Sequence, residues 1–330
     1  MIVHLKKETP IEIVQECTEE LSAFSFSQND LFVLVNSFKE RTINDKFENY
    51  VVEKFLFDSD IQLASKKYQG SREFSVDEIE VGKKDTTLVI TGPCSVESKG
   101  QIDQCAAFVK SQDIKVLRAG CFKPRTSPYT FQGMGIKGLK LLAQVRDQYG
   151  LKIISEIRDA SHADAVIDHV DIIQIGAKAM YDHGILNKCA KTNKPVLLKR
   201  GFGTTLQEFV QAAEFILSGG NGKVILCERG IRTFETKTRF TLDLCGVAWL
   251  KEHVNLPIFL DPSHAMGYAY GVPDLTRACV AMGVDGLLLE THPNPKEALS
   301  DASQQLDFNE FSNLLQSIKP VARAVGTKII

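Results

Sequence analysis

Four side chains of the kinds that hold divalent cations follow strand-like segments spread along the chain: Cys94 in TGPCSVES, His264 in DPSHAMG, Glu290 in LLLETHPNP and Asp301 in ALSDASQ. Cys, His, Glu and Asp make a mixed soft and hard donor set, suited to Mn, Fe, Co, Zn or Cu rather than to Mg or Ca. Taken singly, Cys94 is more often a buried thiol than a ligand, and His264 serves as readily as a hydrogen-bonded structural histidine. No local spacing joins the four, so only the fold can bring them together.

A second set of residues reads as an anion site. LRAGCFKPRTSPYTF (residues 117–131) places Arg118, Lys123 and Arg125 within eight positions, and Lys178, Lys199 and Arg229 follow later strand-like runs. Guanidinium groups grip carboxylate and phosphate oxygens through paired donors, and ammonium groups supply point charge. Six cations at one mouth repel one another unless a multiply charged ligand or carboxylates such as Glu156 and Glu228 stand beside them. Glycines in KRGFGTT (199–205) and SGGNGK (218–223) allow backbone to approach phosphate, but such loops also serve simply as turns.

Both sets require a scaffold that gathers strand ends. From about residue 86, short apolar runs alternate with helix-length amphipathic segments. The runs fall at 86–90, 115–120, 152–157, 171–176, 195–200, 224–229, 257–262 and 286–291. Rich in Val, Ile and Leu and nearly free of alternation, they suit parallel strands buried on both faces. Eight β/α units predict an α/β fold, a closed (β/α)8 TIM barrel, whose strands all end at one mouth where active sites are built. An open doubly wound sheet competes, but it does not call for polar residues after nearly every strand.

The first 70 or so residues follow a different rhythm. IVHL (2–5) reads as a strand, 10–23 as a helix, FSFS and DLFVLVN as strands, 43–56 as a second helix and IQLASKKY as a last strand. That βαββαβ order matches a small ferredoxin-like α+β domain. The boundaries expected are 1–72 for this domain and 73–330 for the barrel, with polar residues 71–85 as the link.

With 330 residues, 39 basic and 41 acidic side chains, the chain has the length of a barrel of about 250 residues plus a small domain. The near balance of charge argues against nucleic acid or a membrane surface as the main partner. The opening residues MIVHLKKETPIEIV lack a signal peptide's apolar stretch, and no apolar run approaches about 20 residues. Eight cysteines without a Cys-x-x-Cys pair fit reduced thiols in a cytoplasmic protein.

The motifs GPCSVES, LRAGCFKPRTSPYTFQG, LLKRGFGTTLQEF, GNGKVILCERGIRTFE, LDPSHAMG and HPNPKEALSDASQQL resemble those of 3-deoxy-D-arabino-heptulosonate 7-phosphate (DAHP) synthase, type I beta group, over roughly residues 73–325. That family is related to 3-deoxy-D-manno-octulosonate 8-phosphate synthase, and Pro124 within KPRTS is similar to the heptulosonate branch. The resemblance implies condensation of phosphoenolpyruvate with erythrose 4-phosphate, the first step of the shikimate pathway to chorismate and the aromatic amino acids. It implies Cys94, His264, Glu290 and Asp301 as ligands of a divalent metal ion, Mn2+ first and then Fe2+, Co2+, Zn2+ or Cu2+. Arg118, Lys123, Lys199 and Arg229 would hold phosphoenolpyruvate, and Arg125 with Thr126 the tetrose phosphate. Lys123 and Glu156 would carry protons. Lys178 stands where the family commonly has Arg, which keeps the charge and loses the planar fork. Likeness to regulated members also implies that the N-terminal domain is ACT-like and regulatory, in a homotetramer with tyrosine or phenylalanine bound between N-terminal domains. Two readings compete: an octulosonate 8-phosphate synthase taking arabinose 5-phosphate, and a non-catalytic sensor of aromatic amino acids.

Overall fold

The computed structural model describes residues 1–37, 39–123 and 127–330. The N-terminal unit runs β1 (Ile2–Lys6), α1 (Ile11–Leu21), β2 (Phe24–Gln28), β3 (Leu31–Val35), α2 (Asp45–Glu48) and β4 (Val51–Phe55), in an antiparallel sheet of order β2-β3-β1-β4. The expected βαββαβ order is present with shifted bounds. The helix placed at 43–56 stops after one turn, and its second half is β4. Asn44 caps that turn by accepting from Lys46 N at 3.2 Å, and the adjacent β-branched Val51 and Val52 favour a strand over a second turn.

Alternation along the strands divides the two faces of this sheet. Val3, Leu5 and Leu34 pack with Val14, Cys17 and Leu21 of α1 and with Ile43 and Phe47 in a core of their own. Ile2, Val33 and Val35 instead join the main core of the chain, and His4 and Phe55 meet Tyr68, whose hydroxyl lies 2.9 Å from His4 Nε2.

No strand forms at 61–68. This segment docks on the barrel through its backbone, with Glu214 accepting from the N–H groups of Gln62, Leu63 and Ala64 at 2.7, 3.2 and 2.9 Å. Buried Arg72 donates to Leu63 O and Asn255 Oδ1. Nor is 71–85 a plain link. β5 (Phe74–Val76) and β6 (Ile79–Val81) form a hairpin whose Val76, Ile79 and Val81 pack with inward-facing barrel residues such as Leu88, Ile172 and Phe259, closing the end opposite the mouth.

The barrel has the eight expected strands: β7 (Thr86–Gly92), β8 (Val116–Arg118), β9 (Lys152–Ile157), β10 (Ile172–Ile175), β11 (Val196–Lys199), β12 (Val224–Glu228), β13 (Ile258–Leu260) and β14 (Gly286–Glu290). All pair in parallel, and β14 returns to β7 with Glu290 opposite Gly92, which closes the ring. The strands β8 to β14 all lie buried along their length, apart from half-buried Lys152 and Glu156, as their unbroken apolar runs require. The outer helices are α3 (Lys99–Ser111), α4 (Ile136–Tyr149), α5 (Ala163–His169), α6 (His183–Ala190), α7 (Leu206–Ser218), α8 (Leu244–His253), α10 (Val272–Ala281) and α11 (Phe308–Ala324), while α9 (Pro262–Met266) is a short turn in the loop after β13. A short β15 (Lys328–Ile329) then adds to β7.

No described helix is long and apolar enough to cross a membrane.

Candidate active site

The four cation-binding candidates converge at the mouth, each held by local chemistry. Cys94 follows β7 through Gly92, whose φ of +146° and close approach to Arg118 O leave no room for a Cβ. Its N–H donates to Gln305 Oε1 at 3.0 Å, and its carbonyl accepts from Gly120 N at 3.1 Å. His264 rides on α9, a single turn opened by Asp261, which accepts from His264 N at 2.9 Å. Pro262 starts that turn and Gly267 ends it in the left-handed region. Glu290 ends β14. Asp301 sits in the left-handed region at φ +47°, a conformation Asp tolerates better than most residues, and its loop returns to the barrel where Thr291 pairs with Leu306.

The donor atoms of Cys94, Glu290 and Asp301 lie within 4.8 Å of one another. Cys94 Sγ is 3.2 Å from Asp301 Oδ2, and His264 Nε2 is 3.5 Å from Glu290 Oε1 and 4.0 Å from Asp301 Oδ2. Glu290 Oε1 is buried 2.9 Å from Arg118 Nη1, yet it accepts no hydrogen bond of good geometry from any described residue. A buried carboxylate oxygen without such a bond is costly. With a thiol, an imidazole and a second carboxylate around it, that oxygen fits a bound divalent cation.

Electrostatics around the site keep carboxylates charged. Burial alone would raise the Glu290 and Asp301 carboxyls, but His264 and Arg118 hold Glu290, and Lys123 and His264 hold Asp301, below the usual carboxylate range. Burial pushes the Cys94 thiol up to about 12. It also lowers His264, against the pull of Asp261, and a neutral imidazole is the form that ligates metal. Asp261, fully buried, stands 2.8 Å from His264 Nδ1 and accepts from Lys199 Nζ. The adjacent His264 ring and the Lys199 ammonium hold it well below the usual range despite burial.

Beside this cluster opens a cleft of about 460 Å³ lined by Lys123, Glu156, Lys178, Lys199, Arg229 and Arg239, among others. Lys123 Nζ donates to Cys94 Sγ at 3.0 Å and to Cys94 O at 3.2 Å, so the two sites share a wall. Burial would lower the Lys123 ammonium, but Cys94, Glu156, Asp301 and Glu290 raise it above its ordinary value. Gly176 lets Glu156 enter, because a Cβ there would overlap its carboxylate. Gln174 Nε2 fixes that carboxylate by donating at 2.9 Å. The Arg229 guanidinium lies 4.2 Å over the Phe240 ring, a cation–π contact that orients it without cancelling its charge.

Three expectations change. Arg118 lies beneath the cleft, almost fully buried against Glu290, and does not line it. Glu228 serves none of the expected anion binders: it accepts from Arg200 Nη1 at 2.8 Å and from Gly230 N at 2.7 Å. SGGNGK lies before β12, away from the mouth, and turns the chain there while Asn221 donates to the carbonyls of Cys189 and Lys194. Arg125 and Thr126, with Pro124, fall outside the described residues. Sequence reasoning missed Asp261, Arg239 and Gln304. Asp261 had a signal in the Asp-Pro that opens a helix, whereas Arg239 comes from deep in a long loop and Gln304 looks like any loop amide.

Arg118→Lys should weaken anion binding in the cleft by about 1–3 kcal/mol, because the guanidinium plane that abuts Glu290 from beneath is lost. Unchanged affinity for inorganic phosphate would remove Arg118 from anion recognition.

Fold and site together define a (β/α)8-barrel enzyme in which a cluster of four candidate cation ligands adjoins a cleft lined by cationic side chains. A profile described as "DAHP synthetase I family" matches residues 60–326, and the chain belongs to that family. A Thermotoga maritima protein named phospho-2-dehydro-3-deoxyheptonate aldolase is 45% identical over 265 residues, 78% of this chain and 78% of its own. A Bordetella petrii 2-dehydro-3-deoxyphosphooctonate aldolase is 30% identical over 268 residues, covering 74% of this chain and 93% of its own. Among solved structures, the Thermotoga maritima phospho-2-dehydro-3-deoxyheptonate aldolase (DAHP synthase) superposes over 100% of this chain and 98% of its own, with a TM-score of 0.81 and 36% identity. A truncated form of the Thermotoga maritima 3-deoxy-D-arabino-heptulosonate 7-phosphate synthase covers 81% of this chain and 98% of its own, with a TM-score of 0.76 and 40% identity.

Proposed function

We propose that this chain is a DAHP synthase: it condenses phosphoenolpyruvate with D-erythrose 4-phosphate and water to give 3-deoxy-D-arabino-heptulosonate 7-phosphate and inorganic phosphate, the entry to the shikimate pathway. The observation that carries the reading is the shared wall at Lys123, where the Cys94, His264, Glu290 and Asp301 cluster meets a cleft lined by cations. Two phosphates and a carboxylate are the charges such a cleft would offset. The octulosonate relatives are more distant, at 30% identity against 45%, and Pro124 favours the heptulosonate branch.

Lys123, Lys178, Lys199 and Arg229 would hold the phosphate and carboxylate of phosphoenolpyruvate, Arg118 would support them from beneath, and Arg125 with Thr126 would take the tetrose phosphate. Cys94, His264, Glu290 and Asp301 would hold a divalent ion, Mn2+ the first choice. When bound, that ion supplies Lewis-acid polarisation of an aldehyde oxygen. C3 of the enol attacks the aldehyde carbon, and Lys123, kept protonated by the surrounding carboxylates, donates to the oxygen that gains charge. Water adds at C2, its proton passing to Glu156. The bond from C2 to the bridging oxygen then breaks as the C2 hydroxyl gives its proton to the departing phosphate, leaving a ketone and free phosphate, and the proton held by Glu156 returns to Lys123.

A phosphate-release assay on protein stripped of metal and reloaded with single divalent ions tests this reading. Turnover should require an ion and erythrose 4-phosphate. Faster turnover with arabinose 5-phosphate would favour the octulosonate reading, and binding of aromatic amino acids without turnover the sensor.

For the N-terminal domain, with its boundary near residue 72, we propose a regulatory role in a homotetramer, with tyrosine or phenylalanine as effector. Its separate core supports an independent unit, and a Thermotoga relative exists in truncated form. A coupling of about 1–3 kcal/mol would appear as at least several-fold inhibition. Because residues 61–72 clasp the barrel, removal of 1–59 should leave an active enzyme that ignores the effector, whereas removal of 1–72 should also lower the melting temperature. An intact protein indifferent to all three aromatic amino acids, prephenate and chorismate leaves the domain with assembly alone.

A further inference from the structure

We infer that Gln304 is a positioning residue that sets the Glu290 carboxylate for the cation and ties it to the anion cleft through Arg239. This rests on the reading of Cys94, His264, Glu290 and Asp301 as a cation site. Gln304 is buried, and both ends of its amide are engaged: Nε2 donates to Glu290 Oε2 at 2.6 Å, and Oε1 accepts from Arg239 Nη1 at 2.7 Å. A guanidinium only donates and a carboxylate only accepts, so these two neighbours allow the amide a single orientation.

The consequence falls on the other oxygen of Glu290. With Oε2 held by Gln304, Oε1 faces His264 Nε2 and Arg118 without a hydrogen bond of good geometry. The amide therefore sorts the carboxylate into one satisfied oxygen and one presented to the cation. Arg239, half exposed on the cleft wall, is anchored by its own N–H to Met266 O and stands 3.5 Å from Asp301 Oδ1. The neighbouring Gln305 acts alike on a third ligand, accepting from Cys94 N while donating to Ser300 O. Five consecutive residues, 301–305, thus supply one ligand and fix two others that come from different strands. Removing such a partner of a metal ligand typically weakens metal binding by about 10–100-fold.

The test is calorimetric titration of the intact, metal-stripped protein with Co2+, with the thiolate-to-cobalt absorption band as a second readout. Gln304→Met keeps the length of the side chain and removes both hydrogen bonds. It should bind Co2+ about 10–100-fold more weakly, with a displaced cobalt spectrum and an unchanged far-ultraviolet circular dichroism spectrum. Affinity and spectrum equal to those of the unsubstituted protein overturn the inference. Should Gln304→Met not fold, Arg239→Met at its partly exposed loop position carries the test. Freeing the amide should weaken Co2+ binding, whereas mere removal of a nearby positive charge would tighten it, and tightened or unchanged affinity overturns the inference. If the unsubstituted protein binds no Co2+, the cation site itself fails, and this inference with it.

Discussion

Replacing Cys94 or His264 by alanine should abolish turnover, by at least about 10³-fold, while the protein stays folded. Losing the ion removes several kcal/mol of charge stabilisation from the reacting oxygen, and each 1.36 kcal/mol is about a factor of ten in rate. The fold survives because both residues sit at the mouth, on β7 and β13 loops whose backbones have other anchors. Cys94 is held through its N–H and carbonyl, and the α9 turn is capped by Asp261. The checks are metal content after gel filtration, phosphate release and thermal melting. Full turnover by either variant in chelator-treated buffer would end the metal reading, whereas loss of the folded transition would recast these residues as structural.

Lys123→Met should lower kcat by about 10²–10⁴, the range of a positioned proton donor. Lys123 is nearly fully buried between the cation cluster and the cleft, with its ammonium 3.0 Å from Cys94 Sγ. Its removal also takes positive charge from beside Asp301 and Glu290, so metal affinity should not fall and KM for phosphoenolpyruvate should rise less than kcat drops. Single-turnover measurements on metal-loaded protein separate these effects. If KM rises and kcat is untouched, Lys123 grips the ground state only, and proton delivery belongs to another group.

Much of the fold was legible because parallel strands buried on both faces leave unbroken apolar runs. All eight barrel strands lie within a residue or two of the runs that announced them. Cyclic closure then explains why Cys94, His264 and Glu290, far apart in sequence, become neighbours: the first, seventh and eighth strand ends adjoin. The N-terminal unit was harder, because its segments are short enough for context to override local pattern. Residues 51–55 carry a helix-compatible spacing, yet they add to the sheet edge beside β1, where their backbone groups find partners. The hairpin at 74–81 was hidden by its charged residues, since only its three inward side chains report the barrel interior.

The donor types, the cationic strand ends and the alternating elements are one-dimensional properties, and the sequence alone determined the barrel, the family and the candidates for a cation site. Tertiary structure decided which groups share an atom's surroundings. It placed Arg118 under the cleft instead of in its wall, gave Arg200 rather than an anion binder to Glu228, and brought Asp261, Arg239 and Gln304 beside the candidate cation ligands. Such partnerships depend on side-chain reach across loops whose paths are set by packing, and a hydrogen bond between residues 14 or 65 positions apart leaves no periodic trace in the chain.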